Sequence, residues 1–411
     1  MGRPILVRGA RQLLTLRGPF GPRRGSDLRN LGLVQDGSVL IADGLIREVG
    51  PTRRVENLAV ARNAIEISAA GRVVMPGFID SHTHLVSGAP HLREFEAMIA
   101  GESEGMPGGG SNEIELTPAS TLERQAMRII HDCVREGTTT IEAKSGFGVS
   151  EAGELKILRV HAAINEHPIP VVSTAMVSTV FAGNGPRDYL TRLLPVVRRR
   201  RLADFVDVEC EDDAYSYEEC REFLRAARQL GFGVKMHGGQ RSRTRVVELA
   251  LETGATSIDH LIYVDEGQTA MLARSGIVAT LLPGPVFFLG GERYAQARRL
   301  IDAGVAVALA TNYNPRTCPS HNMQMMIALA CRAMRMTPAE AICAVTINGA
   351  HALGRADRTG SIEYGKDADL LVLSAPDYRE LPYHFGVNLV ETTIRRGEVI
   401  YNRAEVTWAD K

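Results

Sequence analysis

The sequence predicts an α/β protein, a (β/α)8 TIM barrel with a small β-sandwich domain built from both chain ends. Three patterns support this fold class. The middle of the chain alternates apolar strands with amphipathic helices, both ends are rich in short strands and tight turns, and histidines follow several of the middle strands. Alternating strands and helices are typical of a parallel sheet covered by helices, and eight such units close into a barrel.

The two ends of the chain are expected to form one β domain. Asp43-Gly44 lies between two apolar segments near the N-terminus, which predicts a β-hairpin. Near the C-terminus, strands are expected at 369–373, 390–394 and 399–401. We therefore predict that residues 1–75 and 353–411 form the β domain and that residues 76–352 form a metal-dependent catalytic barrel.

Eight apolar segments in the middle of the chain are the predicted barrel strands. They cover residues 78–85, 138–144, 170–178, 204–210, 233–237, 256–260, 277–282 and 305–312. Helical periodicity lies between them, for example over 155–163, 217–230, 243–253 and 323–334. In such barrels, catalytic side chains gather at the carboxyl ends of the strands.

Composition excludes several classes of function. The 411 residues carry 47 basic and 48 acidic side chains, so nothing suggests a nucleic-acid partner. The six cysteines form no C-x-x-C pair, no apolar run is long enough to cross a membrane, and the N-terminus lacks a signal sequence, so we expect a cytoplasmic protein. The glycine-rich segment 106–110 is expected to form a loop over the barrel mouth, since it lacks the context of a phosphate-binding loop.

Histidines at four strand ends indicate a metal site. His82 and His84 end the first strand, and residues two apart on a strand project to the same face. His237 ends the fifth strand and His260 the sixth, so 4 of the 11 histidines lie at one end of the predicted barrel. The alternative is that the first pair ends a strand without binding a metal. We predict a divalent metal bound by His82, His84 and His237.

The fourth strand and the ligand chemistry restrict the kind of metal site. Residues 204–209 contain no lysine, so a carbamylated lysine bridging two ions is not available there, and one metal is expected. Histidine ligands without thiolates favour Zn²⁺ first, with Fe²⁺ or Mn²⁺ as alternatives.

Longer motifs connect the chain to a known family. They are PGFIDSHTHL (76–85), GTTTIEAKSGFG (137–148), HGGQ (237–240), SIDHL (257–261), LLPGPVFFL (281–289), NPRTCPS (314–320) and YRELPYHFGVN (378–388). With these motifs the chain resembles the amidohydrolase superfamily and, within it, the imidazolonepropionase family. The resemblance implies a homodimeric enzyme that opens a small cyclic amide with water activated by one metal ion. It also implies that His260 stabilises charge next to the attacked carbonyl and that Gln240 orients water or substrate.

Asn312 departs from the family pattern. The family has an aspartate there, which binds the metal and carries a proton from water to the leaving nitrogen, and an asparagine cannot accept that proton. Three explanations stay open: a deliberate Asp→Asn substitution, another base such as His260, or loss of hydrolysis. Asn312 could also be only a turn residue before Asn314-Pro315.

The predicted substrate pocket departs from the family as well. His91 stands where the family has an arginine, Phe147 where it has a tyrosine, and Arg316 where it has a glycine. The segment after the third strand, which ends at Thr179, lacks the family's histidine. These four positions are therefore predicted to bind an altered substrate, with Arg316 available to pair with an anion.

Two other functions remain consistent with the sequence. A deaminase of a heterocyclic amine would use the same kind of metal site and the same attack by water. A barrel that has lost hydrolysis would bind a metal and a ligand, or catalyse a step such as isomerisation. Asn312 is the feature that separates hydrolysis of a cyclic amide from a barrel that has lost hydrolysis, because hydrolysis needs a proton acceptor. The sequence does not separate opening of a cyclic amide from deamination.

Overall fold

The computed structural model describes residues 3–102, 112–181 and 185–405, so the glycine-rich segment 106–110 lies outside the described residues. Within these residues, sixteen strands form two separate sheets of eight. The strands are β1 (Ile5–Leu14), β2 (Leu33–Ala42), β3 (Leu45–Pro51), β4 (Ile65–Ser68), β5 (Val73–Pro76), β6 (Phe78–Asp80), β7 (Thr138–Lys144), β8 (Val171–Val177), β9 (Phe205–Cys210), β10 (Gly233–Gly238), β11 (Ser257–His260), β12 (Val278–Leu281), β13 (Ala306–Leu309), β14 (Leu370–Leu373), β15 (Val390–Arg395) and β16 (Glu398–Asn402).

Most of the helices lie between the strands of the barrel or directly after its last strand. The helices of the described residues are α1 (Thr52–Val55), α2 (Leu92–Ile99), α3 (Glu113–Leu116), α4 (Ala119–Arg135), α5 (Glu151–Ile164), α6 (Pro186–Asp188), α7 (Leu194–Arg200), α8 (Tyr217–Gln229), α9 (Val246–Thr253), α10 (Glu266–Ala273), α11 (Pro283–Phe288), α12 (Ala297–Asp302), α13 (Met323–Ala333), α14 (Pro338–Ala344), α15 (Ile347–Ala352) and α16 (Glu380–Tyr383). Of these, α1 and α16 belong to the segments that form the second sheet. A π turn, Tyr189–Leu193, joins α6 to α7, and short 3-10 turns cover Gly25–Arg29, Ala61–Asn63 and Arg403–Glu405. Within the described residues, no helix has both the length and the apolarity needed to cross a membrane.

The barrel consists of β6 to β13 in sequence order, with every neighbouring pair parallel. It closes just beyond its first and last strands, where Thr83 forms a parallel bridge with Tyr313 and the Asn312 N–H donates to the His82 carbonyl at 2.9 Å. The predicted strands 78–85 and 305–312 are therefore longer than β6 and β13. Regular pairing stops at Asp80 and Leu309, and the residues that follow lead to the isolated bridge between Thr83 and Tyr313.

The second sheet is built from both ends of the chain. Its order is β16-β15-β14-β5-β1-β2-β3, with β4 paired to β1, and the predicted hairpin at Asp43-Gly44 joins β2 to β3. This sheet encloses an apolar core of its own, which includes Leu13, Val39 and Leu370. A barrel with a separate β domain made by both termini is thus confirmed, whereas the domain boundaries at 75/76 and 352/353 stay a prediction.

The barrel packs closely against the β domain at Gly137. Gly137 connects α4 to β7 with φ +98°, a conformation that side chains rarely adopt. A Cβ added there would lie 2.8 Å from Leu371 Cδ1 and 2.9 Å from Val390 Cγ2, both in the β domain. The close approach of the two sheets at this point requires a residue without a side chain.

We expect Gly137→Ala to lower the free energy of unfolding by at least about 1 kcal/mol, because it adds both backbone strain and overpacking. Gly365→Ala is the control, since Gly365 has φ +83° but nothing within 4 Å of the added Cβ. Thermal denaturation of both variants separates the two effects. An equal loss in the two proteins would show that the contact between the sheets contributes nothing.

Candidate metal centre

Three histidine side chains converge at the active end of the barrel. His82 and His84 follow β6 and His237 belongs to β10, and one nitrogen from each lies within 4.8 Å of those from the other two. Their ring centroids are separated by 4.6 Å for His82 and His237, 5.5 Å for His82 and His84, and 6.4 Å for His84 and His237. All three are buried. These are the three ligands that the sequence predicts.

Hydrogen bonds fix how each ring is turned. His82 Nδ1 lies 2.8 Å from Asp259 Oδ2, and His237 Nδ1 lies 2.9 Å from Asp207 Oδ1. His84 Nδ1 is 3.3 Å from the Ser145 carbonyl oxygen. When Nδ1 donates, the lone pair on Nε2 is free for a metal, and a carboxylate behind a histidine is typical of metal ligands.

The donor set fits a divalent ion. His82 Nε2 is buried and has no hydrogen-bond partner in the described part of the chain. A buried nitrogen without a partner is costly unless something occupies its lone pair, and three imidazoles suit a transition metal. The residues present are therefore those that a metal ion of this type requires.

A group of buried charges lies beneath the histidines. The side chains of Glu142, Lys144, Asp207, Lys235 and Asp259 are all fully buried. Burial alone lowers the pKa of Lys144, but the charges of the carboxylates outweigh it and raise that pKa above its ordinary value. Burial also raises the pKa of Asp207, yet the charges of His237 and Lys144 hold it at about 2. Lys144 and Asp207 are therefore both charged near neutral pH.

The three rings differ in their affinity for protons. Burial brings the pKa of His82 well below its ordinary value, helped by the positive charge of Lys144, and lowers that of His84 to about 3. At His237 burial also lowers the pKa, but the charge and hydrogen bond of Asp207 outweigh it, so that pKa is raised. His82 and His84 are thus neutral imidazoles, the form that binds metals.

An open cavity of about 210 Å³ lies at the barrel mouth, directly above the histidines. It brings together most of the residues that the sequence predicts for the site. Its lining is His84, Gly146, Phe147, Met176, Ser178, Thr179, Val180, Glu209, His237, Gln240, Arg241, His260, Asn312, Asn314, Arg316 and Thr317. His91 does not line this cavity. It precedes α2 and faces Glu94, 3.5 Å from its Oε1, so its role in substrate binding stays a prediction.

His260 and Asn312 both have left-handed backbone conformations. Their φ angles are +81° and +58°, and backbone strain of this kind is often found at functional sites. The His260 ring lies 5.3 Å from that of His237. Asn312 Nδ2 lies 3.5 Å from Thr317 Oγ1, which leaves its carbonyl oxygen for the cavity. Both side chains are thus placed beside the three histidines.

Two arginines lie in the cavity wall, and they differ in their ion pairs. Arg241 pairs with Glu209 at 2.9 Å and with Asp213 at 2.6 Å. Arg316 forms no ion pair with any residue that the structure describes, and burial lowers the pKa of its guanidinium. Its guanidinium carbon lies 5.8 Å from the centre of the Phe147 ring, which in turn lies 5.1 Å from the His84 ring.

Sequence reasoning did not identify the charged residues around the histidines. Lys144, Asp207, Glu209 and Asp259 lie within strands that read mainly as apolar. Their spacing carries a signal, because Asp207 and Glu209 are two residues apart on β9 and therefore project to the same face of the strand. In the structure, Glu209 is the register partner of His237. Glu209 is the one carboxylate among the described residues of the cavity lining.

Comparison with known proteins gives consistent results. The amidohydrolase family model matches residues 73–400. An imidazolonepropionase of Parabacteroides distasonis is 43% identical over 410 residues, which cover 96% of this chain and 98% of that protein. An imidazolonepropionase of Alkaliphilus metalliredigens is 37% identical over 417 residues, which cover 98% of this chain and 99% of that protein.

Solved structures share the fold at low identity. An adenosine deaminase from Xanthomonas campestris with bound zinc has a TM-score of 0.73 at 18% identity and covers 99% of this chain and 94% of its own. Atrazine chlorohydrolase from Arthrobacter aurescens, complexed with zinc, has a TM-score of 0.71 at 16% identity and covers 99% of this chain and 97% of its own. At these identities the likeness shows the architecture alone.

We expect the purified protein to hold about one metal equivalent per chain and His237→Ala to lose most of it, because a missing ligand of three removes most of the affinity. His161→Ala is the matched control. His161 is also fully buried, but its Nδ1 contacts Ser173 Oγ at 3.1 Å, away from the cluster. Elemental analysis of the two variants measures the difference, and full metal content in His237→Ala would contradict the assignment.

Proposed function

The chain belongs to the amidohydrolase family, among the imidazolonepropionases, and we propose that this metal-dependent hydrolase opens a five-membered cyclic amide with a short anionic side chain. The observation that carries the proposal is the convergence of three buried histidines, two of them held by carboxylates, beneath an open cavity. The cavity volume of about 210 Å³ suits a small heterocycle.

The proposed cofactor is one divalent ion, Zn²⁺ first, with Fe²⁺ or Mn²⁺ as alternatives. His82, His84 and His237 would bind it, with the amide oxygen of Asn312 as a weaker fourth ligand. Such an ion supplies a nucleophilic water near neutral pH and polarises a carbonyl. The zinc in the adenosine deaminase and the atrazine chlorohydrolase supports the choice of metal.

The remaining side chains of the cavity would position the substrate and move the proton. We assign His260 to the attacked carbonyl, where its ring stabilises the developing negative charge. Gln240, whose backbone N–H donates to Glu211 at 2.6 Å, would orient water or the ring amide through its side chain. Thr179 and Phe147 would form the wall against which the ring packs.

Proton transfer is the step at which this chain differs from its family. Opening the ring requires that a proton leave the attacking water and reach the leaving nitrogen. Asn312 cannot take that proton, so in the present chain His260 is the acceptor that we propose. This second task makes His260 less effective as a stabiliser of the carbonyl, so we expect slow hydrolysis. Asn312 also supports the competing function, a barrel that binds a metal and a ligand without hydrolysing it.

The substrate's anionic group is assigned to Arg316. This guanidinium is half-buried, unpaired among the described residues and stacked near Phe147. A carboxylate can form two parallel hydrogen bonds with such a group. A substrate that spans from the histidines to Arg316 would therefore be a ring with a short acidic arm.

We further propose that the protein is a cytoplasmic homodimer that acts on a small molecule. The six cysteines are free, and all but Cys331 are buried, which is consistent with a reducing compartment. The dimer is proposed from the family resemblance alone.

We expect Asn312→Asp to raise kcat for hydrolysis of a five-membered cyclic amide by about 10²-fold or more, because it supplies a proton acceptor beside the histidines. The pH profile of this variant should show a base limb set by the introduced carboxylate, which differs from the limb that His260 gives the Asn form. If the Asn form is already fast and the Asp form is slower at every pH near neutrality, position 312 is not the missing base. If neither form hydrolyses a panel of such rings, the competing function stands.

We expect Arg316→Gln to raise KM for the anionic substrate by about 10–100-fold, because it removes a charge-assisted pair. KM for a ring of the same size with a neutral side chain should stay unchanged. Arg243→Gln is the control, since Arg243 pairs with Asp265 at 3.0 Å outside the cavity lining. Equal losses for the anionic and neutral rings would show that Arg316 does not recognise the anion.

A further inference from the structure

Lys144 lies at the centre of three buried carboxylates. Its Nζ is 2.6 Å from Asp207 Oδ2, 3.1 Å from Asp259 Oδ2 and 3.2 Å from Glu142. The three acids come from β9, β11 and β7, so the ammonium joins three separate strands inside the barrel. None of these side chains is exposed to solvent.

Two of the carboxylates connect the ammonium to metal-binding rings. Asp207 accepts from His237 with Oδ1 at 2.9 Å and from Lys144 with Oδ2 at 2.6 Å. Asp259 Oδ2 lies 2.8 Å from His82 Nδ1 and 3.1 Å from Lys144 Nζ. Lys144 thus stands one carboxylate away from each of two predicted ligands, His82 and His237.

We propose that Lys144 is a positioning residue of the metal centre: its ammonium fixes Asp207 and Asp259 so that His82 and His237 present Nε2 to the ion. The lysine touches neither the ion nor the substrate, and it acts only through the two carboxylates. This inference rests on the metal centre assigned under the proposed function. It adds a buried ammonium, which is not itself a ligand, to the residues that the metal centre requires.

Charge balance gives the physical reason. Three carboxylates and two ammonium groups occupy this dry region, which leaves one excess negative charge. Without Lys144 the excess is two, and Asp207 and Asp259 lose the ammonium that holds them at 2.6 and 3.1 Å. A buried carboxylate that has lost its partner shifts towards other donors or towards water. Such a shift weakens the acceptor that orients the histidine behind the metal.

Lys235 provides a comparison inside the same group. It is equally buried and its Nζ donates to Glu142 Oε1 at 2.8 Å and to the Ser81 carbonyl at 3.1 Å. It forms no hydrogen bond with Asp207 or Asp259. Removing either lysine deletes one buried ammonium, but only Lys144 is bonded to the carboxylates that hold the rings.

The test is a competition titration of zinc against a chelator, using metal-free wild type, Lys144→Gln and Lys235→Gln. We expect Lys144→Gln to bind zinc about 10–100-fold more weakly than wild type and Lys235→Gln to stay within about threefold. The visible absorption of the cobalt-loaded proteins should change in the Lys144 variant only, since it reports ligand geometry. A loss of less than tenfold in Lys144→Gln, or an equal loss in both variants, overturns the inference.

If Lys144→Gln alone does not fold, a comparison of Asp207→Asn with the double variant Asp207→Asn/Lys144→Gln keeps the test decisive. Lys144→Gln combined with Asp207→Asn restores the excess of one negative charge. In the Asp207→Asn background we expect Lys144→Gln to cost at most a few-fold in zinc affinity, because half of its connection to the rings is already gone. A full tenfold loss in that background contradicts the role. Wild type that binds no zinc would instead refute the metal centre itself, so the two failures are distinguishable.

Discussion

The carboxylates behind the histidines are the constraint on which the rest of the site depends. Asp207 and Asp259 are buried and ionised, and each lies within 2.9 Å of a histidine of the proposed metal centre and within 3.1 Å of Lys144. Removing one partner of a buried ion pair costs about 3–5 kcal/mol, so such a group is tolerated only when every member is satisfied. The barrel provides this, because parallel register sends alternate residues of neighbouring strands towards the same interior.

This arrangement separates the binding of a metal from the chemistry that follows. Three histidines whose arrangement suits a divalent ion lie beneath the cavity, whereas the residues inside it present amides at Gln240 and Asn312. The carboxylate that lines the cavity, Glu209, is already paired with Arg241. Arg316, which forms no ion pair with the described residues, lies at the same mouth and makes the cavity suited to an anionic ligand. The cavity therefore offers a residue for binding an anion, Arg316, but no unpaired carboxylate for proton transfer among its described residues.

The sequence predicted the parts of the molecule that depend on local pattern. The alternating strands and helices, the hairpin at Asp43-Gly44 and the pair His82 and His84 all follow from spacing along the chain. What it could not predict depends on which strands become neighbours. Asp259 and Lys144 read as ordinary polar positions in apolar segments, and their meaning appears only when β7, β9 and β11 surround one axis. The ends of β6 and β13 differ from the prediction for the same reason, since barrel closure decides where regular pairing stops.

Anomalous diffraction from crystals of the zinc-loaded protein, measured on both sides of the zinc absorption edge, tests the central claim most directly. The account predicts one peak per chain, about 2.0–2.1 Å from Nε2 of His82, His84 and His237, with Lys144 Nζ still between Asp207 and Asp259. No peak at these nitrogens, or a peak held by Asp207 and Asp259 in place of the ammonium, would contradict it.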